Sequence, residues 1–222
     1  MTSTPSNNPP SPKPGPAASR RLVLASASPR RQELLREAGY DFAIEPANVD
    51  EDDFPERILP ADVALHLARQ KVRKVSRTNG FTHDVVLAAD TVVAFGDELI
   101  GKPEDARDAK RILRLLSGTT HVVITGVAVA IEAENYLRAT RVMSAVRMRW
   151  LTERQIEDYL ISGKWRGKAG AYGIQDNDPF VTRMAGCHTN IVGLPMTTTK
   201  SMLAEVGIVP ARSDEKGKYE IL

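Results

Sequence analysis

Arg21-Leu22-Val23-Leu24-Ala25 runs into Ser26-Ala27-Ser28-Pro29 and then into Arg30-Arg31-Gln32-Glu33-Leu34-Leu35-Arg36-Glu37-Ala38-Gly39, and this stretch decides the fold class. Its first five residues form a short apolar run of strand length. Ser28 suits a helix N-cap, Pro29 suits the first helical position and Gly39 suits the exit, so a helix is expected between them. Strand, tight loop and helix in that order open an α/β chain.

The same alternation continues outward. A second strand is expected to include Phe42 to Ile44, ahead of the acidic run Asp50-Glu51-Asp52-Asp53. Pro60-Ala61-Asp62 opens a helix that reaches about Val75. Asp84 to Asp90 reads as a buried strand ending on an acid, Thr91 to Phe95 continues extended, and Gly96-Asp97 turns it back through Glu98-Leu99-Ile100. A helix over 105–116 follows. His121 to Ile131 and Tyr136 to Met148 read as a long hairpin, and Thr152 starts another helix. The segment from Gly163 to Gly193 is glycine-rich and reads as irregular, and a last helix spans Pro195 to Val206. Helices alternating with strands, at least one pair of them antiparallel, give an α/β class with a mixed sheet.

Charge divides the chain unevenly. It has 222 residues with 30 Lys+Arg against 28 Asp+Glu. Residues 1–20 hold six of the 14 prolines and only two charges, Lys13 and Arg20, so the remaining 202 residues are formally neutral. That composition reads as a disordered tail. Residues 21–210 are expected to form a single domain, followed by a C-terminal tail over 211–222. Neutrality of the folded part argues against a nucleic-acid footprint. No stretch approaches the roughly 18 apolar residues of a membrane helix, so no membrane partner is expected. One cysteine, Cys187, makes neither an internal disulfide nor a Cys-based zinc site, and the N-terminal segment has neither a secretory nor an organellar pattern; a cytoplasmic protein is expected.

Several residue groups could carry chemistry. A Ser-rich turn feeding a helix places free backbone N–H groups and the positive dipole end together, with Ser26, Ser28, Arg30 and Arg31 beside them. This suits a polyphosphate cradle, and equally a plain Ser-Pro cap flanked by solvated arginines. Asp90 could hold a divalent metal or take a proton from an attacking water, or could close an Asx-type turn. Lys71 and Lys102 could each place a point charge on phosphate, or lie solvated. Gly167-Lys168-Ala169-Gly170-Ala171-Tyr172-Gly173-Ile174-Gln175 permits close backbone approach to a ligand, and the Gln175 amide can both donate and accept at a nucleobase edge. A structural crossover is the alternative. His121 reads as a structural hydrogen-bonder within the sheet.

Taken in order, Leu24-Ala25-Ser26-Ala27-Ser28-Pro29-Arg30-Arg31, Ala89-Asp90-Thr91, Gly101-Lys102-Pro103, Leu116-Ser117-Gly118 with His121, Thr125-Gly126-Val127, Lys168 to Gln175, and Val192-Gly193-Leu194-Pro195 resemble the Maf family of nucleoside triphosphate pyrophosphatases. The resemblance runs from about residue 22 to 206. It implies a mixed β-sheet with flanking helices in two lobes around a cleft, similar to the inosine triphosphate pyrophosphatases. It also implies cleavage of nucleoside triphosphates to monophosphate and pyrophosphate with a divalent metal cation, Mg2+ or Mn2+, and a homodimer. By the same resemblance Asp90 is the catalytic acid, Glu51 and Asp90 are metal ligands, Ser26, Arg31, Lys71 and Lys102 bind phosphate, and Arg30, Thr91 and Gln175 set substrate specificity. Arg, Thr and Gln at those three positions match the branch acting on dTTP and UTP, with modified pyrimidine nucleotides as further candidates. The branch acting on 7-methyl-GTP is the alternative, as is a nucleotide-binding regulator of cell division and septum formation.

Overall fold

A computed structural model of the protein describes residues 20–174 and 180–211. The first apolar run becomes β1 (Leu22–Leu24), which lies between β2 (Ala43–Ile44) and β3 (Val85–Phe95) and is parallel to both. β4 (Glu98–Ile100) folds back antiparallel on the end of β3. The other edge of β3 pairs with β5 (Thr120–Ile131), β5 with β6 (Tyr136–Met148), and β6 with β7 (Val181–Ala185), all antiparallel. The class is therefore α/β with a mixed sheet, as expected.

Side-chain alternation sorts the helices onto the two faces. Even-numbered residues of β3 and β5, such as Val86, Ala88, Val92, Ile124 and Ala128, pack under α2 (Pro60–Ser76). Odd-numbered residues meet two separate groups. Val85, Leu87, Ala89, Val127 and Val129 pack with α1 (Pro29–Glu37) and, near the C-terminus, α6 (Met196–Glu205). Val93 and Val123 instead pack with α3 (Ala106–Leu116), α4 (Glu153–Ser162) and a tight turn over Ala169–Ala171. Two lobes thus share one face of the sheet, and a cleft runs between them.

A gap in the sheet lies under that cleft. β1 pairs with β3 only as far as Leu24 opposite Leu87, with one further bond from the Ala25 N–H to the Leu87 carbonyl. β4 resumes pairing on the same edge at Ile100 opposite Val93. Asp90 and Thr91 lie in the interval. Sequence reading puts Asp90 at the end of a strand; it is in fact mid-strand, and the neighbouring strand is the one that stops.

Two other differences have local causes. Ser28 occupies the N-cap with extended backbone and Pro29 follows, but the Ser28 hydroxyl caps nothing; its own N–H donates to Ser26 Oγ at 3.2 Å. The segment after Gly163 is more ordered than its glycines suggest, since β7 and α5 (His188–Val192) both form there. β7 is an edge strand held through backbone pairing with β6 across a register shift at Arg147/Met148, so it needs no strong apolar alternation of its own.

His121 is 1 % exposed, with Nε2 2.6 Å from the Tyr172 hydroxyl and a buried Nδ1 that has no hydrogen-bond partner among the described residues. Desolvation holds its pKa down at about 4, against 6.5 for a free imidazole. The unfolded chain therefore takes up a proton below pH 6.5 that the folded chain refuses until about pH 4. His121 adds stability above pH 6.5 that is lost as pH falls, about 3 kcal/mol in all. Urea unfolding between pH 7 and pH 4 should show this loss, and His121→Gln should flatten that part of the profile. An equally steep slope in the variant would place the titration elsewhere.

Candidate active site

A cavity of about 630 Å³ fills the cleft and reaches through the gap in the sheet to the α2 side. Ser26, Arg30, Arg31, Glu51, Lys71, Asp90, Thr91 and Lys102 all line it. These are the expected site residues with one exception: Gln175 lies outside the described residues, as do residues 1–19 and 212–222 of the two tails.

On the α2 side, charges alternate along one chain of contacts. Lys71 Nζ is 2.5 Å from Asp90 Oδ1 and 2.9 Å from Glu51 Oε1, and Glu51 Oε2 is 2.5 Å from Lys102 Nζ. Asp90 and Lys71 are both buried, at 6 % and 8 % exposure. Burial alone would raise the Glu51 pKa, but hydrogen bonds and charge from Lys102 and Lys71 outweigh it and hold the carboxyl at about 2. Lys71 reaches this position because α2 sits unusually low on the sheet. At Gly126, which pairs with Asp90 across β3 and β5, a Cβ would collide with the backbone of Ala64 on α2. Lys71 is two helical turns beyond Ala64 on the same helix face.

On the opposite face the site is built around one guanidinium. Arg31 donates through Nε to the Gly193 carbonyl at 2.8 Å, and through its two terminal nitrogens to Ser26 Oγ and Thr91 Oγ1, each at 3.1 Å. Burial lowers its pKa, although the nearby Asp90 acts in the opposite sense. Arg30 is lowered by desolvation too. Thr91 Oγ1 also lies 2.9 Å from Thr125 Oγ1, and the Thr125 hydroxyl donates to the Asn190 carbonyl at 3.0 Å. Asn190 is fully buried, and its amide donates to the Val123 carbonyl and Ser144 Oγ.

The expected phosphate group is therefore divided. Lys71 and Lys102 join the acids on one face, while Ser26 and Arg31 join Thr91 on the other. The fixed bonds of Arg31 leave one N–H on each terminal nitrogen for a ligand, so it can brace the site and still bind an anion. Thr125, Asn190 and Gly193 escaped sequence reasoning as site residues. Thr125 and Gly193 stand inside quoted motifs, which was a usable signal; Asn190 carries none, because only the fold brings its carbonyl to Thr125.

The donor set suits a hard divalent cation. Glu51 and Asp90 offer carboxylate oxygens and are linked through one lysine, which fits an oxygen-liganded ion of the Mg2+ type. Among the described residues no cluster of three His, Cys, Asp or Glu side chains is placed to hold a metal. Such an ion would take its remaining ligands from phosphate and water. No helix among the described residues is long and apolar enough to cross a membrane.

Residues 21–206 match the family model described as Maf-like protein. A dTTP/UTP pyrophosphatase of Brucella abortus (strain 2308) is 46% identical over 194 residues, covering 84% of this chain and 92% of the relative. Proteins of the same description from Hahella chejuensis (strain KCTC 2396) and Dictyoglomus thermophilum (strain ATCC 35947 / DSM 3960 / H-6-12) are 46% and 41% identical, covering 94% and 97% of their own lengths and 85% of this chain in each case. Among solved structures, a HAM1 protein from Coxiella burnetii aligns over 58% of this chain and 73% of its own at a TM-score of 0.37 and 15% identity, a likeness too slight to bear on function.

Proposed function

The chain belongs to the Maf family, and on that premise we propose that it hydrolyses dTTP and UTP to the monophosphate and pyrophosphate. The observation that carries this reading is the alternating chain Lys102, Glu51, Lys71, Asp90 on the cavity wall, next to the Ser-rich entry into α1. It combines a buried carboxylate within reach of a proton with cations for the leaving group.

In this reading Asp90 takes the proton of a water that attacks the α-phosphorus, as a positioned general base. A P–O bond forms to that water, the bond to the bridging oxygen of the β-phosphate breaks, and the electron pair leaves with pyrophosphate. Lys71 holds Asp90 in place, and Lys102 and Arg31 meet the growing negative charge on the leaving group. The Ser26 hydroxyl and the free N–H groups at the start of α1 donate to phosphate oxygens. A divalent cation, Mg2+ or Mn2+, held by Glu51 and Asp90 would supply further charge neutralisation at the phosphates. Arg30, Thr91 and Gln175 choose the base; a glutamine suits a uracil or thymine edge, which offers both a donor and acceptors. A cytoplasmic homodimer belongs to the same reading.

A pyrophosphate-release screen over normal and modified triphosphates, with Mg2+ or Mn2+, tests it. Release from dTTP and UTP is expected, with the monophosphate as co-product. Hydrolysis of 7-methyl-GTP with none of dTTP or UTP would sink the substrate assignment, and tight UTP binding without pyrophosphate release would favour a regulator.

A further inference from the structure

Thr125 stands directly opposite Thr91 in the β3–β5 ladder, where threonine pairs commonly bond across strands. It is wholly buried, so it acts on a ligand only through its neighbours. Among the described residues its hydroxyl has two of them, the Asn190 carbonyl at 3.0 Å and Thr91 Oγ1 at 2.9 Å. A carbonyl oxygen only accepts, and a threonine hydroxyl has one hydrogen to give. If that hydrogen went to Thr91, the Thr125 and Asn190 oxygens would face each other at 3.0 Å with lone pairs alone. Buried acceptors set against each other in this way are strongly disfavoured. The Thr125 hydrogen therefore goes to Asn190, and the 2.9 Å contact is made by Thr91 donating to Thr125.

The polarity of Thr91 is fixed from its other side as well. Its oxygen accepts from Arg31 at 3.1 Å, and a guanidinium has no lone pair to return. The Gly193 carbonyl competes poorly for the Thr91 hydrogen, since it lies at 3.5 Å and already takes the Arg31 Nε–H at 2.8 Å. Donation thus runs one way, from Arg31 to Thr91 to Thr125 to Asn190, between a group that can only give and one that can only accept. Thr91 lines the cavity with its hydrogen turned into the sheet. To whatever enters, it is an acceptor and not a donor.

We propose that Thr125 is a positioning residue for base selection: by holding the Thr91 hydrogen it favours uracil and thymine, whose N3 carries a hydrogen, over cytosine, whose N3 is a lone pair. An oxygen that cannot donate repels that lone pair, so the selection works by exclusion. This rests on the reading above in which Thr91 helps to choose the base, and the test separates the two. In the full chain, Thr125→Val keeps the side-chain shape, and the Asn190 carbonyl keeps the Gly193 N–H at 3.0 Å. Thr91 is then free to turn its hydrogen into the cavity. The ratio of kcat/KM for UTP over CTP should fall ~10-fold, chiefly through better use of CTP, while Thr125→Ser should hold the wild-type ratio. In a Thr91→Val background, Thr125→Val should change the ratio no further. Thr125→Cys, whose thiol donates and accepts weakly, serves if the valine variant does not fold. Equal losses on UTP and CTP in a folded variant, with the ratio unchanged, would leave Thr125 a packing role alone and overturn the proposal. A wild-type protein that cleaves CTP as readily as UTP would instead overturn base selection by Thr91. Absence of pyrophosphate release from either nucleotide would overturn the triphosphatase reading itself.

Discussion

Asp90→Asn is expected to lower turnover of dTTP and UTP by ~10²–10⁴-fold, the usual loss of a positioned general base. The asparagine has the same shape, and its amide oxygen can still accept from Lys71, which keeps its second partner in Glu51. Folding should therefore survive, and thermal unfolding of the variant should stay close to wild type. Substrate binding should change less than turnover, because the cations that face phosphate remain. Wild-type turnover in Asp90→Asn would remove the residue from proton transfer. Lys71→Met makes the contrasting case: it leaves Asp90 buried without its ion-pair partner, so both stability and activity should fall.

The second large effect is expected far from any reacting group. Gly126→Ala places a methyl where the backbone of Ala64 already lies. No rotamer change can relieve a clash with backbone, so α2 must lift from the sheet, at a cost of ~1–3 kcal/mol. Lys71 rides on the same helix, ~10 Å further along its axis, and a lifted helix draws its ammonium away from Asp90 and Glu51. Urea unfolding should show the lost stability, and kcat/KM measured well below the unfolding midpoint should fall as well. Gly101→Ala is the comparison for stability, since a Cβ there meets nothing within 4 Å. If Gly126→Ala were as stable and as active as Gly101→Ala, the close seating of α2 would not matter to the site.

How far the sequence could be read depended on whether a feature is local. The strand-loop-helix opening at residues 22–39, the helix at Pro60 and the long hairpin from His121 to Met148 are all written in local period and capping residues, and all are found. That Ser26, Arg31, Glu51, Lys71, Asp90 and Lys102 line one cavity was legible only through the family resemblance. Singly, each reads as well as a cap, a turn or a surface charge. What local reading could not give is register. That Asp90 faces Lys71 while Thr91 faces Arg31 follows from where β1 stops and β4 starts against β3, and both are long-range pairings. β7 was illegible for a similar reason, since an edge strand takes its conformation from the strand it joins.

The break between β1 and β4 gives the site a divided plan. Two residues adjacent in the chain, Asp90 and Thr91, open into different rooms, with the sheet as the wall and the break as the doorway. On the proposed reading Asp90, Glu51, Lys71 and Lys102 work from one room, while Thr91 shares the other with the phosphate-binding Arg31 and Ser26. A molecule that uses both must bend through the doorway, as a nucleotide can at its ribose. Phosphate is thus held from both rooms, so a change of selectivity at Thr91 must spare the bond that it shares with Arg31.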